Sequence, residues 1–256
     1  MDKDTQTRFP VFHVPHDGGV FPTELLQAVC VPVEQFLRYH DEMRDVSAQE
    51  MVPQLYRGEE HAVIFPVSRL LCDVERFLGP DEPMERYGMG FCYERVYDGT
   101  KIKVISEALR EKTLRYYRKH HARLDQLCAE HPKLLLLDLH SFSDAIVPRA
   151  QLLPGIGTPD VCLGIDRNFT PESLAATAEV CLQQAGFSTA RNYPYSGTLV
   201  PNAVMTKALH CDCASIMLEW NKRVYCKRDG ISDVETLARI REAILQIVKQ
   251  CEYKNV

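Results

Sequence analysis

The sequence predicts an α/β fold with three α/β/α layers, in which helices cover both faces of a central mixed sheet. Short apolar runs typical of buried strands alternate with longer stretches that have helical periodicity. The 256 residues, 45% of them hydrophobic, are also enough to bury a sizeable core. Because no repeat, low-complexity tract or Gly/Ser linker interrupts the chain, we expect residues 1–256 to form a single domain.

Five apolar runs bounded by polar or turn residues predict the strands. In chain order they are residues 11–14, 62–66, 134–137, 161–164 and 215–218. The longest helical candidate, residues 101–130, lies between the second and third runs. Ligands in such a fold are expected in loops at the carboxyl ends of strands.

Capping signals predict two further helices. Thr170 can cap the first, with Pro171 at its first position and Gly186 just beyond its end. Ser232 and Glu235 form a capping box before the second. Its apolar face is Leu237, Ile240, Ile244, Ile247 and Val248.

Charge and composition narrow the partner to a small molecule. A formal charge of −5 and a pI near 6.0 argue against a nucleic-acid groove or an anionic membrane surface as the main partner. No apolar stretch of about 18 residues could span a bilayer, and residues 1–9 do not resemble a secretion signal, so we expect a cytoplasmic protein. The ten scattered cysteines are then expected to be reduced thiols.

Polar residues able to bind metal or move protons follow several of the predicted strands. His16 comes directly after the first, and Gly18 and Gly19 would let a ligand approach its ring closely. A histidine that caps a turn would have the same sequence pattern.

Asp138 and His140 end the four-leucine run and are expected to project to the same side. A neutral imidazole is a good zinc ligand, and the neighbouring carboxylate can hold it in the required tautomer. The alternative is a strand-terminal histidine bonded to backbone.

Glu219 follows the last strand and is the candidate general base, because a carboxylate within reach can take the proton of an activated water. A salt bridge from Glu219 to Lys222 or Arg223 is the alternative.

The third metal ligand is expected to be a carboxylate, since catalytic zinc commonly uses two histidines and one carboxylate with one open position. His40, Asp41 and Asp45 follow an amphipathic stretch, and we choose Asp41. Asp17 and Asp73 are the other candidates, and a solvated helical face would also explain the run.

Arg69 and Arg76 flank Asp73 just after the second strand. A planar guanidinium can hold a carboxylate through two hydrogen bonds, so these arginines predict an acidic substrate. An internal Arg69–Asp73 ion pair is the alternative, and both roles can hold together.

The cysteines suggest two alternative sites, a structural metal site and a nucleophilic thiol, and the sequence supports both less well. His210, Cys211 and Cys213 resemble metal ligands but lack the second matching pair of a closed zinc site. Cys72 or Cys92 could serve as a nucleophile, yet neither lies in a recognisable nucleophile motif.

Five segments, in order and spanning nearly the whole chain, resemble those of N-formylglutamate amidohydrolases. They are Pro15-His16-Asp17-Gly18, residues 41–45, Ser68-Arg69 with Asp73-Val74-Glu75-Arg76, Asp138-Leu139-His140-Ser141, and Leu218-Glu219. The resemblance implies a fold related to the zinc carboxypeptidases and aspartoacylases. It also implies hydrolysis of a small N-acyl acidic amino acid, with formate released from N-formylglutamate as the default reaction.

The resemblance implies one zinc ion held by His16, His140 and Asp41, with Glu219 as the catalytic carboxylate. In the expected mechanism zinc would make a water more acidic for attack on the amide carbonyl, Glu219 would remove the proton of that water, and Arg167 would help to stabilise the oxyanion.

Arg69 and Arg76 match arginines that would receive the substrate carboxylate, with Asp73 holding them in place. Tyr195 lies in a segment expected to line the pocket.

The chain departs from the family pattern at Asp17, where a small residue such as Ser is usual, and at Glu75, where Asn is common. An extra carboxylate at Asp17 would repel an anionic substrate. The alternative functions are a zinc carboxypeptidase or deacylase for another acyl amino acid or small peptide, and a binding protein that has lost catalysis.

Overall fold

A computed structural model of the chain describes residues 7–79, 81–227 and 231–254, and its strands form one six-stranded sheet in the order β2-β1-β3-β6-β4-β5. The strands are β1 (Phe9–Val14), β2 (Ala62–Ile64), β3 (Lys133–Phe142), β4 (Val161–Gly164), β5 (Thr189–Arg191) and β6 (Asp212–Asn221). The pairs β1–β3, β3–β6 and β4–β5 are parallel, whereas β4–β6 is antiparallel. The predicted α/β class with a mixed sheet is therefore confirmed.

Each of the five predicted apolar runs lies in or overlaps a strand, and the sequence missed only β5 among the named strands. β5 has three residues and none of them is buried, so it offers no apolar run to detect.

Six α-helices lie between or beyond the strands in the described parts of the chain. They are α1 (Thr23–Leu26), α2 (Val33–Met43), α3 (Glu107–Glu130), α4 (Glu172–Gln184), α5 (Asn202–Met205) and α6 (Val234–Lys254). None of them is both long and apolar enough to cross a membrane.

Two predicted helix caps are wrong. Thr170 directs its hydroxyl to the carbonyl of Ser215 at 2.6 Å, so Pro171 occupies the N-cap position of α4. At α6 the amide of Thr236 donates to the carboxylate of Asp233 at 2.9 Å, while the Ser232 hydroxyl bonds to another side chain. A cap is the residue whose oxygen faces the free amides of the first turn, and here that residue is Asp233.

The chain forms two compact units that interleave along the sequence. The sheet unit contains β1, Ser47–Val63 and the chain from Leu124 onward; the inserted unit contains Pro15–Val46 and Ile64–Arg123. Each unit has its own cluster of buried apolar side chains. The expectation of a single domain stays a prediction.

β3 determines where polar groups lie in the sheet unit. All its residues after Lys133 are buried, and successive side chains alternate between the two faces. Leu134 and Leu136 pack with Leu124 and Leu127 of α3, and each buried leucine contributes roughly 1.5–3 kcal/mol. This packing fixes the strand, and the same face continues into Asp138 and His140.

Candidate active site

Asp138 orients two histidines at the carboxyl end of β3. Its Oδ1 accepts hydrogen bonds from Nε2 of His140 at 3.0 Å and from Nδ1 of His13 on β1 at 2.8 Å. The amide of Leu199 donates to Oδ2 at 3.0 Å. A proton on Nε2 of His140 places the ring's lone pair on Nδ1, the tautomer that a metal ligand needs.

The environment keeps Asp138 ionised. Burial would raise its pKa, but the charges and hydrogen bonds of His140 and His13 outweigh burial and hold the pKa well below its usual range. Asp138 and His140 are thus hydrogen-bonded, and the role of Asp138 beside a metal ligand stays a prediction. His13 was missed, although a histidine inside an otherwise apolar strand was an available signal.

Glu219 lies beside His140 in the sheet. The two residues are direct neighbours in the parallel β3–β6 register, so their side chains point to the same face. Cys162 is the neighbour of Glu219 on β4. Burial, together with the charge of Glu219, raises the pKa of Cys162 to about 12. The strand continues to Asn221, so Glu219 is a buried residue within β6 and does not follow the strand as the sequence indicated.

Arg223 is not the salt-bridge partner suggested for Glu219. It pairs with Asp144 at 3.2 Å and with Asp160 at 3.0 Å. The ring of Tyr195 packs edge-on against Phe142, which lies two positions after His140 on β3, with ring centroids 5.6 Å apart.

The structure does not place Arg167 beside Glu219. Arg167 lies in an exposed turn after β4, which runs antiparallel to β6. The same turn bonds to Ser215 through the Phe169 carbonyl at 2.8 Å. Ser215 precedes Glu219 by four positions on β6, or about 13 Å. We therefore leave Arg167 out of the proposed chemistry.

His16 lies in the inserted unit between two carboxylates. Its Nε2 donates to Oδ1 of Asp73 at 2.9 Å, and its Nδ1 is 3.5 Å from Oδ2 of Asp45. The amide of Asp45 also donates to the His16 carbonyl at 3.1 Å. All three side chains are buried.

Asp45, not Asp41, is the carboxylate that accompanies His16. Asp41 is exposed on α2, whose buried face includes Tyr39, His40 and Met43. One residue of a helix turns the side chain by about 100°, so the residue after the inward-facing His40 points outward. Asp45 comes after the last residue of α2, so the helical periodicity does not determine the direction of its side chain.

The His16–Asp45 pair fits a metal centre. Two ligand atoms about 2.0–2.1 Å from a tetrahedral zinc ion are about 3.3 Å apart. The 3.5 Å between His16 Nδ1 and Asp45 Oδ2 matches that spacing and is long for a good hydrogen bond. Asp73 on the other ring nitrogen supplies the carboxylate–histidine arrangement typical of metal sites.

Asp73 is the centre of a buried charge network in the inserted unit. Its carboxylate is contacted by His16 at 2.9 Å, Tyr93 at 2.7 Å, Arg69 at 3.0 Å and Arg76 at 3.7 Å. Burial would raise the pKa of Asp73, but the charges of Arg76, His16 and Arg69 hold it well below its usual range. The internal ion pair weighed for Arg69 is therefore present.

The two arginines differ in the donors they retain. Arg76 uses its Nε on the Met89 carbonyl at 3.2 Å and a terminal nitrogen on Tyr93 at 3.4 Å. The Nε of Arg69 is buried and, within the part of the chain that the structure describes, has no hydrogen-bond partner. Arg69 thus has an unused donor.

The cysteine alternatives find no support. Burial raises the pKa of the Cys72 thiol well above its usual range, the opposite of what a nucleophile needs. Among the residues described, His210, Cys211 and Cys213 do not gather three ligand atoms close enough to share an ion.

Comparison with known proteins identifies a family whose sequence model matches most of this chain. A family model described as N-formylglutamate amidohydrolase matches residues 10–226. No curated protein matches the chain at a significant level.

Solved structures share the fold. The crystal structure of N-formylglutamate amidohydrolase from Ralstonia eutropha JMP134 is 20% identical with a TM-score of 0.76, covering 98% of this chain and 96% of that one. A gene product of Agrobacterium tumefaciens is 18% identical with a TM-score of 0.61, covering 94% and 91%.

Proposed function

The chain belongs to the N-formylglutamate amidohydrolase family, and we propose that it uses zinc to hydrolyse the amide of an N-acyl acidic amino acid such as N-formylglutamate. Membership of this family supports an amide hydrolase. The observation that carries the metal proposal is the buried His16–Asp45 pair, whose ligand atoms are 3.5 Å apart.

We take His16 and Asp45 as zinc ligands, and the resemblance of the Asp138–His140 motif to the family adds His140 as the third. Two imidazoles and one carboxylate are a common donor set of catalytic zinc. Both histidines are bonded to a second carboxylate, Asp73 or Asp138, as ligating histidines usually are. Zinc held there would polarise a carbonyl oxygen and lower the pKa of water towards about 7.

Glu219 is the proposed general base. It takes a proton from the attacking water, whose oxygen bonds to the amide carbon, and delivers it to the nitrogen as the C–N bond breaks. The products are a carboxylic acid, formate in the default case, and the free amino acid. The neighbouring register of Glu219 and His140 supports this assignment.

Arg69 is the proposed anchor for the substrate carboxylate, because its side chain is 15% exposed and its buried Nε has no partner among the described residues. Arg76 supports it by sharing the charge of Asp73. Tyr195, whose ring packs against Phe142, is the proposed aromatic residue of the substrate pocket.

The test is release of formate or another free acid from a panel of N-acyl amino acids, with protein stripped of metal and then reloaded with zinc. Zinc-dependent turnover of N-formylglutamate is expected. Glu219→Gln should keep zinc and lose at least about 100-fold in kcat, because general base catalysis is worth about 10²–10⁴. The exposed Glu130→Gln, at the end of α3, is the matched control.

The possible outcomes distinguish the proposed substrate, the proposed reaction and the role of Glu219. Turnover of other acyl amino acids alone would retain the chemistry and replace the substrate. A bound acidic ligand that survives unchanged would favour a binding protein, and full activity of Glu219→Gln would remove Glu219 from the mechanism.

A further inference from the structure

We propose that the ion pair between Asp17 and Arg44 positions His16 and Asp45 as a ligand pair, an inference that rests on the proposed metal site. Arg44 Nε donates to the carboxylate and to the carbonyl of Asp17, each at 2.9 Å. A terminal nitrogen of Arg44 contacts the same carboxylate oxygen at 2.8 Å. The side chain of Asp17 is fully buried.

The pair joins the two backbone segments that carry the ligands. Asp17 directly follows His16, and Arg44 directly precedes Asp45. The amide of Asp45 donates to the His16 carbonyl at 3.1 Å, next to the ion pair. Residues 16–17 and 44–45 are therefore held together by backbone and side-chain contacts at once.

The end of α2 extends this connection. The amide of Arg44 donates to the carbonyl of His40 at 2.8 Å, which closes the last turn of the helix. The His40 ring is in turn hydrogen-bonded to Ser68 at 2.9 Å. Arg44 is thus held from the helix side while its guanidinium holds Asp17, and this sets the position of Asp45 relative to His16.

The ion pair also accounts for the departure from the family at Asp17. A buried carboxylate there would repel an anionic substrate if it had no cation beside it. Arg44 offsets its charge through charge-assisted hydrogen bonds of 2.8–2.9 Å. The added carboxylate is therefore a positioning residue and does not place an uncompensated negative charge beside His16.

The test measures zinc affinity directly, by competition with a chromophoric chelator, in the full chain. Asp17→Asn and Arg44→Met should each weaken zinc binding about 10–100-fold, the range for groups that orient metal ligands. The double variant should lose no more than the worse single variant, because both changes break one interaction. Cobalt(II) substituted for zinc should show an altered visible spectrum in the single variants.

Asp98→Asn is the matched control. Asp98 accepts a hydrogen bond from Tyr39 of α2 at 2.7 Å, so this change also perturbs the attachment of α2 in the inserted unit. It should leave zinc affinity within about twofold. Circular dichroism of the metal-free proteins checks folding, and Asp17→Glu and Arg44→Lys replace any variant that does not fold.

Unchanged zinc affinity in Asp17→Asn and Arg44→Met, or an equal loss in Asp98→Asn, would overturn the positioning role. Zinc binding without amide hydrolysis in the parent protein would refute the proposed function alone. A parent protein that binds no zinc would refute both.

Discussion

At the scale of single residues, two buried aspartates organise the candidate chemistry. Asp138 holds His140, and Asp73 holds His16 together with Arg69. Each aspartate accepts a hydrogen bond from Nε2 of its histidine and so fixes the tautomer of that ring. A histidine without such a partner has no fixed tautomer.

Arg69→Ala should raise KM for N-acyl acidic amino acids about 10–100-fold and change KM for uncharged analogues much less. The reason is that a hydrogen bond to a charged group is worth about 1.5–3 kcal/mol, and this one is made only to the acidic substrates. Steady-state kinetics on paired acidic and neutral substrates measures the difference.

The control is Arg95→Ala, an exposed arginine of the same unit that donates to the Gly99 carbonyl. It should leave both KM values unchanged. Equal effects of Arg69→Ala on acidic and neutral substrates would refute carboxylate recognition by this residue.

Sequence reasoning selected the residue types of the candidate site more readily than their positions. His16, Asp138 and Glu219 follow apolar runs and could be selected from the linear pattern. The choice between Asp41 and Asp45 depends on the turn at which α2 ends, which a sequence does not define to one residue. The position of Arg167 relative to Glu219 depends on the direction of β4, which is defined only by the antiparallel pairing of β4 with β6.

At the scale of secondary-structure elements, the turn after β1 is set by a close backbone approach. A Cβ atom on Gly18 would lie 2.5 Å from the carbonyl carbon of Pro66 and 2.6 Å from the carbonyl oxygen of Phe65. The amide of Val20 then donates to the Pro66 carbonyl at 2.8 Å. This approach supports the segment that carries His16.

Gly18→Ala should destabilise the protein by about 1–3 kcal/mol, the usual cost of inserting a methyl group where the surroundings cannot yield. Backbone atoms of Phe65 and Pro66 surround the site, so relief would require a shift of the chain. Chemical denaturation followed by circular dichroism measures the loss.

Gly19→Ala provides the control at the next position. The nearest atom to its added methyl group would be Nε2 of His40 at 4.0 Å, an ordinary contact. Its stability should stay within about 0.5 kcal/mol of the parent. A similar loss in both variants would show that the turn needs glycine for reasons other than space.

The strong apolar runs predicted five strands, while weaker local signals failed. β5 is short and has no buried residue, so only its pairing with β4 defines it. Asp233 caps α6, where the sequence predicted Ser232. The backbone conformation before a helix decides which side-chain oxygen faces the amides of its first turn.

At the scale of the whole molecule, stability depends on how buried charges are compensated. Asp17, Asp73 and Asp138 each have cationic or hydrogen-bonding partners. Lys103 is different: it is almost fully buried, and its described contacts are the Leu71 carbonyl at 3.1 Å and the Cys92 thiol at 3.8 Å. No carboxylate among the described residues pairs with it.

Lys103→Met should stabilise the protein at neutral pH by about 1 kcal/mol. Burial lowers the pKa of Lys103, which reflects the cost of holding an ammonium group in the core. Loss of the bond to Leu71, about 1 kcal/mol, offsets only part of that gain. Urea denaturation midpoints compare the two proteins.

The sign of the pH dependence follows from the same shift. Between the lowered folded pKa of Lys103 and the unfolded value near 10.4, the unfolded chain binds more protons, so stability rises with pH. The methionine variant should lose that rise. Lys101→Met, at an exposed residue paired with Glu94, should keep it. A destabilised Lys103→Met protein would contradict the expectation.

Asp73 contacts both His16 and Arg69, so one carboxylate serves the proposed cation ligand and the proposed anion anchor. Two occupants that share a partner have linked equilibria. By whatever factor bound zinc changes the affinity for the anion, the bound anion must change the affinity for zinc by the same factor. We therefore expect metal retention at the proposed site to change when substrate or product occupies the proposed anchor, Arg69.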